Sequence, residues 1–355
     1  MKIAILNDTH CGIRNSSDIF MDYQEKFYSE LFFPYLIEND IKQIIHLGDY
    51  YDNRKTINFK ALHHNRKIFL ERLRDLGITM DIIPGNHDVY YKNTNELNAL
   101  KELQGHYMNE VNLIMEPTEM VYDGFKMALV PWINSENEKE TLEFLSKTKA
   151  TFVGAHLELA GFEIDRGLIC KHGMDSKVFD RFEKVLTGHF HAKSTQGNIH
   201  YLGAQMEFFA NDCGDPKYFH VLDTKTREVT PVQNPFTIYE KIYYDDDTTE
   251  EWESKDFSVL AEKFVKVIVL KKSNALEFEQ FIDKIQQQKI HELKIAEDFK
   301  DFLGENVEDD ENIDVDDTQS LVYSYVDNLD TDLDRDLIKT HISALMTEAQ
   351  ALEIM

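Results

Sequence analysis

The sequence predicts an α/β fold: a two-sheet β-sandwich flanked by helices, followed by a small α+β domain and a C-terminal helical segment. Three observations carry this. Short apolar runs of strand length, each ending in polar or Gly-rich punctuation, recur through residues 1–190. Helix-length segments separate the first three of them, the alternation of an α/β sheet. After about residue 197 the pattern changes to short strands in close succession.

The runs suited to buried strands lie at residues 3–6, 44–47, 80–83, 127–130, 152–153 and 185–186, with helices expected around 19–38 and 56–76. Further strands are expected at 199–202, 218–223 and 228–231. Pro231 and Pro235 flank a boundary, so residues 1–235 form the main domain. Beyond it, strands at 239–244, 264–270 and 291–297 and a helix at 275–288 define an α+β domain over 236–303. Residues 304–320 are Gly- and acid-rich and read as a linker. In the final segment, 321–355, Leu333, Leu337, Ile338, Ile342, Leu345, Met346 and Ala349 recur at helical spacing.

Composition narrows the class. A chain of 355 residues is too long for one typical core, and 42% hydrophobic with 12% aromatic residues supports a folded protein. No run approaches the ~20 apolar residues of a membrane span. The opening MKIAILNDTH is too short in its apolar stretch, and too soon acidic, for a signal peptide. Cys11, Cys170 and Cys213 form no C-x-x-C pair, which disfavours a disulfide framework or zinc ribbon and points to a reducing, cytoplasmic setting. The net charge of −27, from 38 basic and 65 acidic residues, repels nucleic acid at long range. Much of that excess sits in two blocks, 245–256 and 305–317, of the kind found in solvated linkers.

Metal-ligand residues follow the apolar runs. They are Asp8 and His10, then Asp49 and Asp52, then Asn86, His87 and Asp88, then His156, and last His189 and His191. In open α/β sheets, sites form at the carboxyl ends of strands. The period-2 pairs Asp8/His10 and His189/His191 place both side chains on one face of an extended segment. Asp, Asn and His bind hard or borderline divalent cations, so the ordered set predicts a two-metal hydrolase acting on a phosphate ester.

The order D-x-H, G-D-x-x-D, G-N-H-D, an isolated His and G-H-x-H resembles the calcineurin-like metallophosphoesterase superfamily. With the small domain and helical tail, it is similar to the SbcD-type nuclease subunits of double-strand-break repair. The segments GDYYDNRK, PGNHDVYYKN, VPWINSEN, GAHLELAGF and TGHFHAKS resemble in particular the recombination endonuclease subunits of T-even-like phages. The resemblance implies a manganese-dependent DNA nuclease, double-strand exonuclease and single-strand endonuclease, with magnesium as the alternative ion. It implies one ion on Asp8, His10 and His191, the other on Asn86, His156 and His189, and Asp49 bridging them. His87 would stabilise the phosphorane or protonate the leaving oxygen, with Asp88 orienting it.

Where Asp52 stands, some family members have a second histidine. Asp52 is therefore open as a hydrogen-bond partner of His10 or of His87, and Arg54 as a phosphate ligand or a surface ion pair. Tyr50, Tyr51, Tyr90 and Tyr91 are open between base stacking and rim packing. The resemblance further implies a DNA-positioning role for the 236–303 domain and a homodimer through nuclease-domain helices. It also implies that 321–355 binds an SbcC-type SMC-like ATPase, in the host cytoplasm if the chain is phage-encoded.

Two other readings compete. One is a protein phosphatase or small-molecule phosphodiesterase on the same fold, though phosphatases typically carry Gly-Asp-x-Val-Asp-Arg-Gly and Gly-Asn-His-Glu. The other is a non-catalytic scaffold, against which all seven ligand positions are occupied.

Overall fold

The computed structural model describes residues 1–104, 109–165, 168–246, 252 and 255–296, together with Val326, Arg335, Lys339 and Ile342. The expected linker at 304–320, and the expected C-terminal helical segment apart from those four residues, lie outside the described residues.

Two six-stranded sheets form the sandwich that the sequence predicts. The first runs in the spatial order Glu228–Gln233, Tyr218–Asp223, Lys2–Leu6, Gln43–His46, Thr79–Ile82 and Val111–Leu113. The second runs Ser194–Gln196, Ile199–Tyr201, Lys184–Gly188, Phe152–His156, Phe125–Val130 and Thr118–Tyr122. The central strands of both are parallel, so their carboxyl ends fall on one edge.

Side-chain alternation builds the layers. Ile3 and Ile5 join Ile45, Met127, Leu129, Phe152 and Leu186 between the sheets, whereas Ala4 and Leu6 face the helices. Each large apolar side chain buried there contributes roughly 1.5–3 kcal/mol. The outer face of the first sheet is covered by two helical segments. One comprises Asp18–Lys26, Phe27–Phe32 and Phe33–Glu38, the other Phe59–Asn65, Arg66–Leu70 and Glu71–Leu76. The middle stretch of each is π-helical, and together they gather Tyr28, Phe32, Phe33 and Phe69 into one aromatic cluster. The outer face of the second sheet buries Val130, Val153, Ala155 and Val185 against Leu145 of the helix Glu138–Lys147.

Three parallel strands, Tyr239–Asp245, Phe264–Lys271 and Glu292–Ala296, make a separate sheet. The helix Ala275–Gln286 covers one face with Phe278, Phe281 and Ile285 and is capped by Asn274, whose side chain accepts from the Glu277 N–H. The opposite face meets the main body where Phe264 and Tyr239 pack on Phe20. No helix among the described residues is long and apolar enough to cross a membrane.

Candidate metal centre

Strand pairing continues into the loops that carry the site. Beyond the Lys2–Leu6 and Gln43–His46 strands, Asp8 N–H donates to Gly48 O (2.9 Å), His10 N–H to Asp49 O (3.1 Å) and Cys11 N–H to Tyr50 O (2.7 Å). In the second sheet Gly188 is in register with His156, which brings His189 beside it. Four of the expected ligands are held at positive φ: Asp8 (48°), His10 (44°), Asp49 (54°) and His189 (90°). Such backbone costs about 1–3 kcal/mol per residue and concentrates at functional sites. The glycines before the ligands allow the loops to meet. A Cβ on Gly85 would lie 2.2 Å from Asp49 Oδ1, and one on Gly48 would lie 2.7 Å from Gly85 N and His156 Nδ1.

All seven expected ligand positions come together. The ligand atoms of Asp8, His10 and His191 lie within 4.8 Å of one another, as do those of Asp49, His156 and His189. His10 Nε2 and His191 Nε2 face each other at 3.1 Å. Asn86 Oδ1 lies 2.9 Å from both His156 Nε2 and His189 Nδ1, and Asp49 Oδ2 lies 3.1 Å from His156 Nε2. His156 Nδ1–H donates to Leu47 O at 2.8 Å, which leaves Nε2 as the nitrogen turned into the site. Buried nitrogens and oxygens converging in this way form a donor set suited to divalent cations.

The electrostatics agree. Burial opposes charge on His156, but Asp49 and then Asp8 outweigh it and push its pKa up to about 9. Burial likewise opposes charge on His10, which Asp52, Asp49 and Asp8 push up to about 9. Asp49 is buried too, yet His156, His87 and His10 hold its carboxyl well below the usual carboxylate range. Asp49 thus favours positive charge beside it, whereas burial pushes the Asp8 carboxyl up and holds the His191 imidazole well below its ordinary value; a cation held here would compete with protons on His10 and His156.

Asp88 bonds elsewhere than the sequence suggests, and Asp52 lies against both histidines. Its Oδ1 lies 3.2 Å from His10 Nδ1, the nitrogen opposite the one facing His191, and its backbone carbonyl lies 2.6 Å from His87 Nδ1. His10, Asp52 and His87 therefore make a third close cluster. Asp88 does not orient the His87 ring, as the sequence suggested. Its carboxylate is fully buried and accepts from Tyr50 N–H and Tyr51 N–H (both 3.0 Å) and Gly85 N–H (2.9 Å), tying the two ligand loops together. Burial, then Asp49, pushes its pKa up to about 6. Arg54 is half-buried on the loop beyond Asp52. Tyr50 and Tyr51 are core residues, and Tyr50 O–H donates to Asn65 Oδ1 at 2.7 Å.

Several neighbours escaped sequence reasoning. Phe208 packs edge-on against His10 (5.5 Å) and His191 (5.6 Å), while Phe209 stacks on His191 (5.9 Å) under the Arg14 guanidinium (4.9 Å). Lys217 is buried between Asp212 and Asp215 and donates to His191 O at 3.1 Å. Trp132 lies beside His189 (5.4 Å) and His156 (5.9 Å). Apart from Trp132, which lies within VPWINSEN, their only sequence signal is an aromatic or charged residue in a loop, which many loops share.

Two adjoining clusters of buried His and carboxylate, where the carboxyl ends of two sheets meet, define a metal-dependent phosphoesterase. The chain belongs to the calcineurin-like phosphoesterase family, whose sequence model matches residues 1–193. Over 352 residues it is 32% identical to exonuclease subunit 1 of Enterobacteria phage T4, covering 98% of this chain and 99% of that protein. A solved archaeal phosphodiesterase overlaps 66% of this chain and 100% of its own, a weak likeness at 13% identity and a TM-score of 0.35.

Proposed function

We propose that this chain is the nuclease subunit of a two-component DNA-processing machine in recombination and double-strand-break end processing. It hydrolyses phosphodiester bonds, as a double-strand exonuclease and single-strand endonuclease, with two manganese ions or with magnesium in their place. The observation that carries this is similarity to an exonuclease subunit over nearly the whole chain, joined to a full ligand set.

In this reading Asp8, His10 and His191 hold one ion, and Asn86, His156 and His189 the other. Asp49 would bridge the two, a role supported by its charge acting on His10 and His191 as well as on His156. Ions held by these residues would supply Lewis-acid and charge stabilisation for phosphodiester hydrolysis. Asp52 orients His10 from its far nitrogen, and its carbonyl fixes the His87 ring, leaving Nε2 of His87 to meet the reacting phosphate. Nuclease assays on single- and double-stranded DNA, with manganese and with or without the ATPase, test the whole reading. Folded protein that binds manganese but cleaves neither DNA would overturn it.

DNA binding by so acidic a chain needs a local exception. The three-stranded sheet supplies one, because Lys241, Lys266 and Lys294 are directly cross-strand neighbours. Strands are spaced ~4.8 Å apart, so the register sets three basic side chains side by side on one face. The row lies on the face whose preceding row, Tyr239 and Phe264, packs on the main body. Tyr239 O–H in turn donates to Phe208 O at 3.2 Å, beside His10 and His191. We assign this row to the phosphate backbone, as the DNA-positioning element of the 236–303 domain. Replacing all three lysines with Gln is expected to weaken DNA binding across sequences and to flatten the log–log salt dependence by about one for each phosphate left without its lysine. An unchanged slope sinks the assignment.

Residues 321–355 are assigned to docking on an SbcC-type SMC-like ATPase, and nuclease-domain helices to a homodimer, in the cytoplasm. Deleting 321–355 is expected to abolish ATPase pull-down and to spare manganese-dependent cleavage of a small phosphodiester. Retained pull-down would move the interface elsewhere.

A further inference from the structure

A cavity of about 160 Å³ opens beside the His156 and His189 end of the ligand set, lined by Trp132, Ile133, His156, Glu158, His172 and Met174. Its walls are fixed independently of each other. On one side the Trp132 backbone is held three times: its N–H donates to Pro84 O (2.9 Å), and its carbonyl accepts from Asn95 Nδ2 (2.8 Å) and Asn137 Nδ2 (3.0 Å). On the other, Met174 N–H donates to Glu158 O (2.9 Å) and Ala160 N–H to Met174 O (3.1 Å). Gly173 permits that second closure, since a Cβ there would lie 2.6 Å from Ala160 N and Glu158 O. Between these walls the indole is partly exposed, with its ring centroid 5.4 Å from that of His189. An aromatic side chain on backbone held this firmly, partly exposed beside the ligand set rather than in a core, has the properties of a stacking platform.

We propose that Trp132 stacks the nucleobase of the nucleotide adjoining the scissile phosphate, making this cavity a base subsite. The inference rests on the nuclease reading and deepens it. Every base presents a π-face, so stacking grips a strand without demanding a sequence. The cavity is smaller than the ~300–1,000 Å³ of ordinary ligand pockets, so it suits one planar ring system and not a base pair. A duplex end must therefore release one base before cleavage, and an unpaired strand enters without that cost.

Two measurements test this. The chain has two tryptophans, so Trp252→Phe leaves the Trp132 indole as the only tryptophan reporter. With manganese present, a deoxynucleoside 5′-monophosphate is expected to quench its fluorescence saturably, and deoxyribose 5-phosphate is not. Equal quenching by both, or none by either, overturns the subsite without any need for hydrolysis.

The second measurement walks a single abasic nucleotide along a single-stranded oligonucleotide. Cleavage by the unaltered chain is expected to slow about tenfold or more when the gap adjoins the cleaved bond. Trp132→Ala is expected to cleave the intact strand more slowly and to lose its sensitivity to the gap, whereas Trp132→Phe keeps most of it. Full gap sensitivity in Trp132→Ala overturns the subsite alone, and failure to cleave any oligonucleotide overturns the nuclease reading, with the quenching experiment still deciding the subsite.

Discussion

Asp49→Ala is expected to remove both ions and to abolish hydrolysis. Asp49 is 1% exposed, and its two oxygens have different partners. Oδ1 accepts from the His87 backbone N–H at 2.8 Å, and Oδ2 lies 3.1 Å from His156 Nε2. Charge stabilisation by bound ions is worth several kcal/mol, so the loss in kcat/KM is expected to be at least about 10³-fold. Calorimetry with manganese should show no bound ion, and one ion retained at full affinity argues against bridging.

The same variant has a pH signature in metal-free protein. His156 has its folded pKa raised from 6.5 to about 9, with Asp49 the first of the groups raising it. A raised folded pKa contributes stability that is complete below the unfolded value and is lost as pH rises through the folded one. The unaltered chain should therefore lose melting temperature between about pH 6.5 and 9, and Asp49→Ala should lose less across that window. A variant profile as steep as the original would show that another group carries the coupling.

The strand ends were legible in the sequence because the fold buries those strands on both faces. Ile3 faces the second sheet and Ala4 the helices, so the run at 3–6 reads as continuously apolar and the ligands stand out where it stops. The glycines were legible for a related reason. Gly48 and Gly85 mark places where two loops touch, although sequence could not say that they touch each other. What remained hidden depends on partners that leave no trace in residue type. The acceptor that fixes His87 is the backbone carbonyl of Asp52, and any residue at that position has one. Asp88 looked like an imidazole partner because it follows His87, whereas its bonds run to three backbone N–H groups. Trp132 reaches the centre from a loop after Val130, so its nearness to His189 is purely tertiary. The lysine row is invisible for the same reason, since three residues spaced along 241–294 become neighbours only through strand register.

His87→Ser is expected to cost about 10²–10⁴-fold in kcat while leaving two ions bound, the range of a lost acid–base group. The reason lies in which atoms of His87 do what. Its backbone N–H, which survives the substitution, is the group that donates to Asp49 Oδ1. The imidazole contributes instead through Nε2, because Nδ1 is occupied by Asp52 O at 2.6 Å. The ring centroid stands 5.0 Å from that of His10, at the edge of the Asp8, His10 and His191 cluster. The competing possibility is that His10, Asp52 and His87 themselves hold an ion. His10 Nδ1 would then ligate rather than face its orienting carboxylate, and the variant would lose an ion by calorimetry. A substrate series separates the two roles of the ring. If His87 protonates the leaving oxygen, a p-nitrophenyl phosphodiester, whose leaving group needs no proton, should lose far less rate than an oligonucleotide. If it stabilises charge on the phosphorane, both substrates should slow together, and an equal loss on both would remove His87 from the general-acid role.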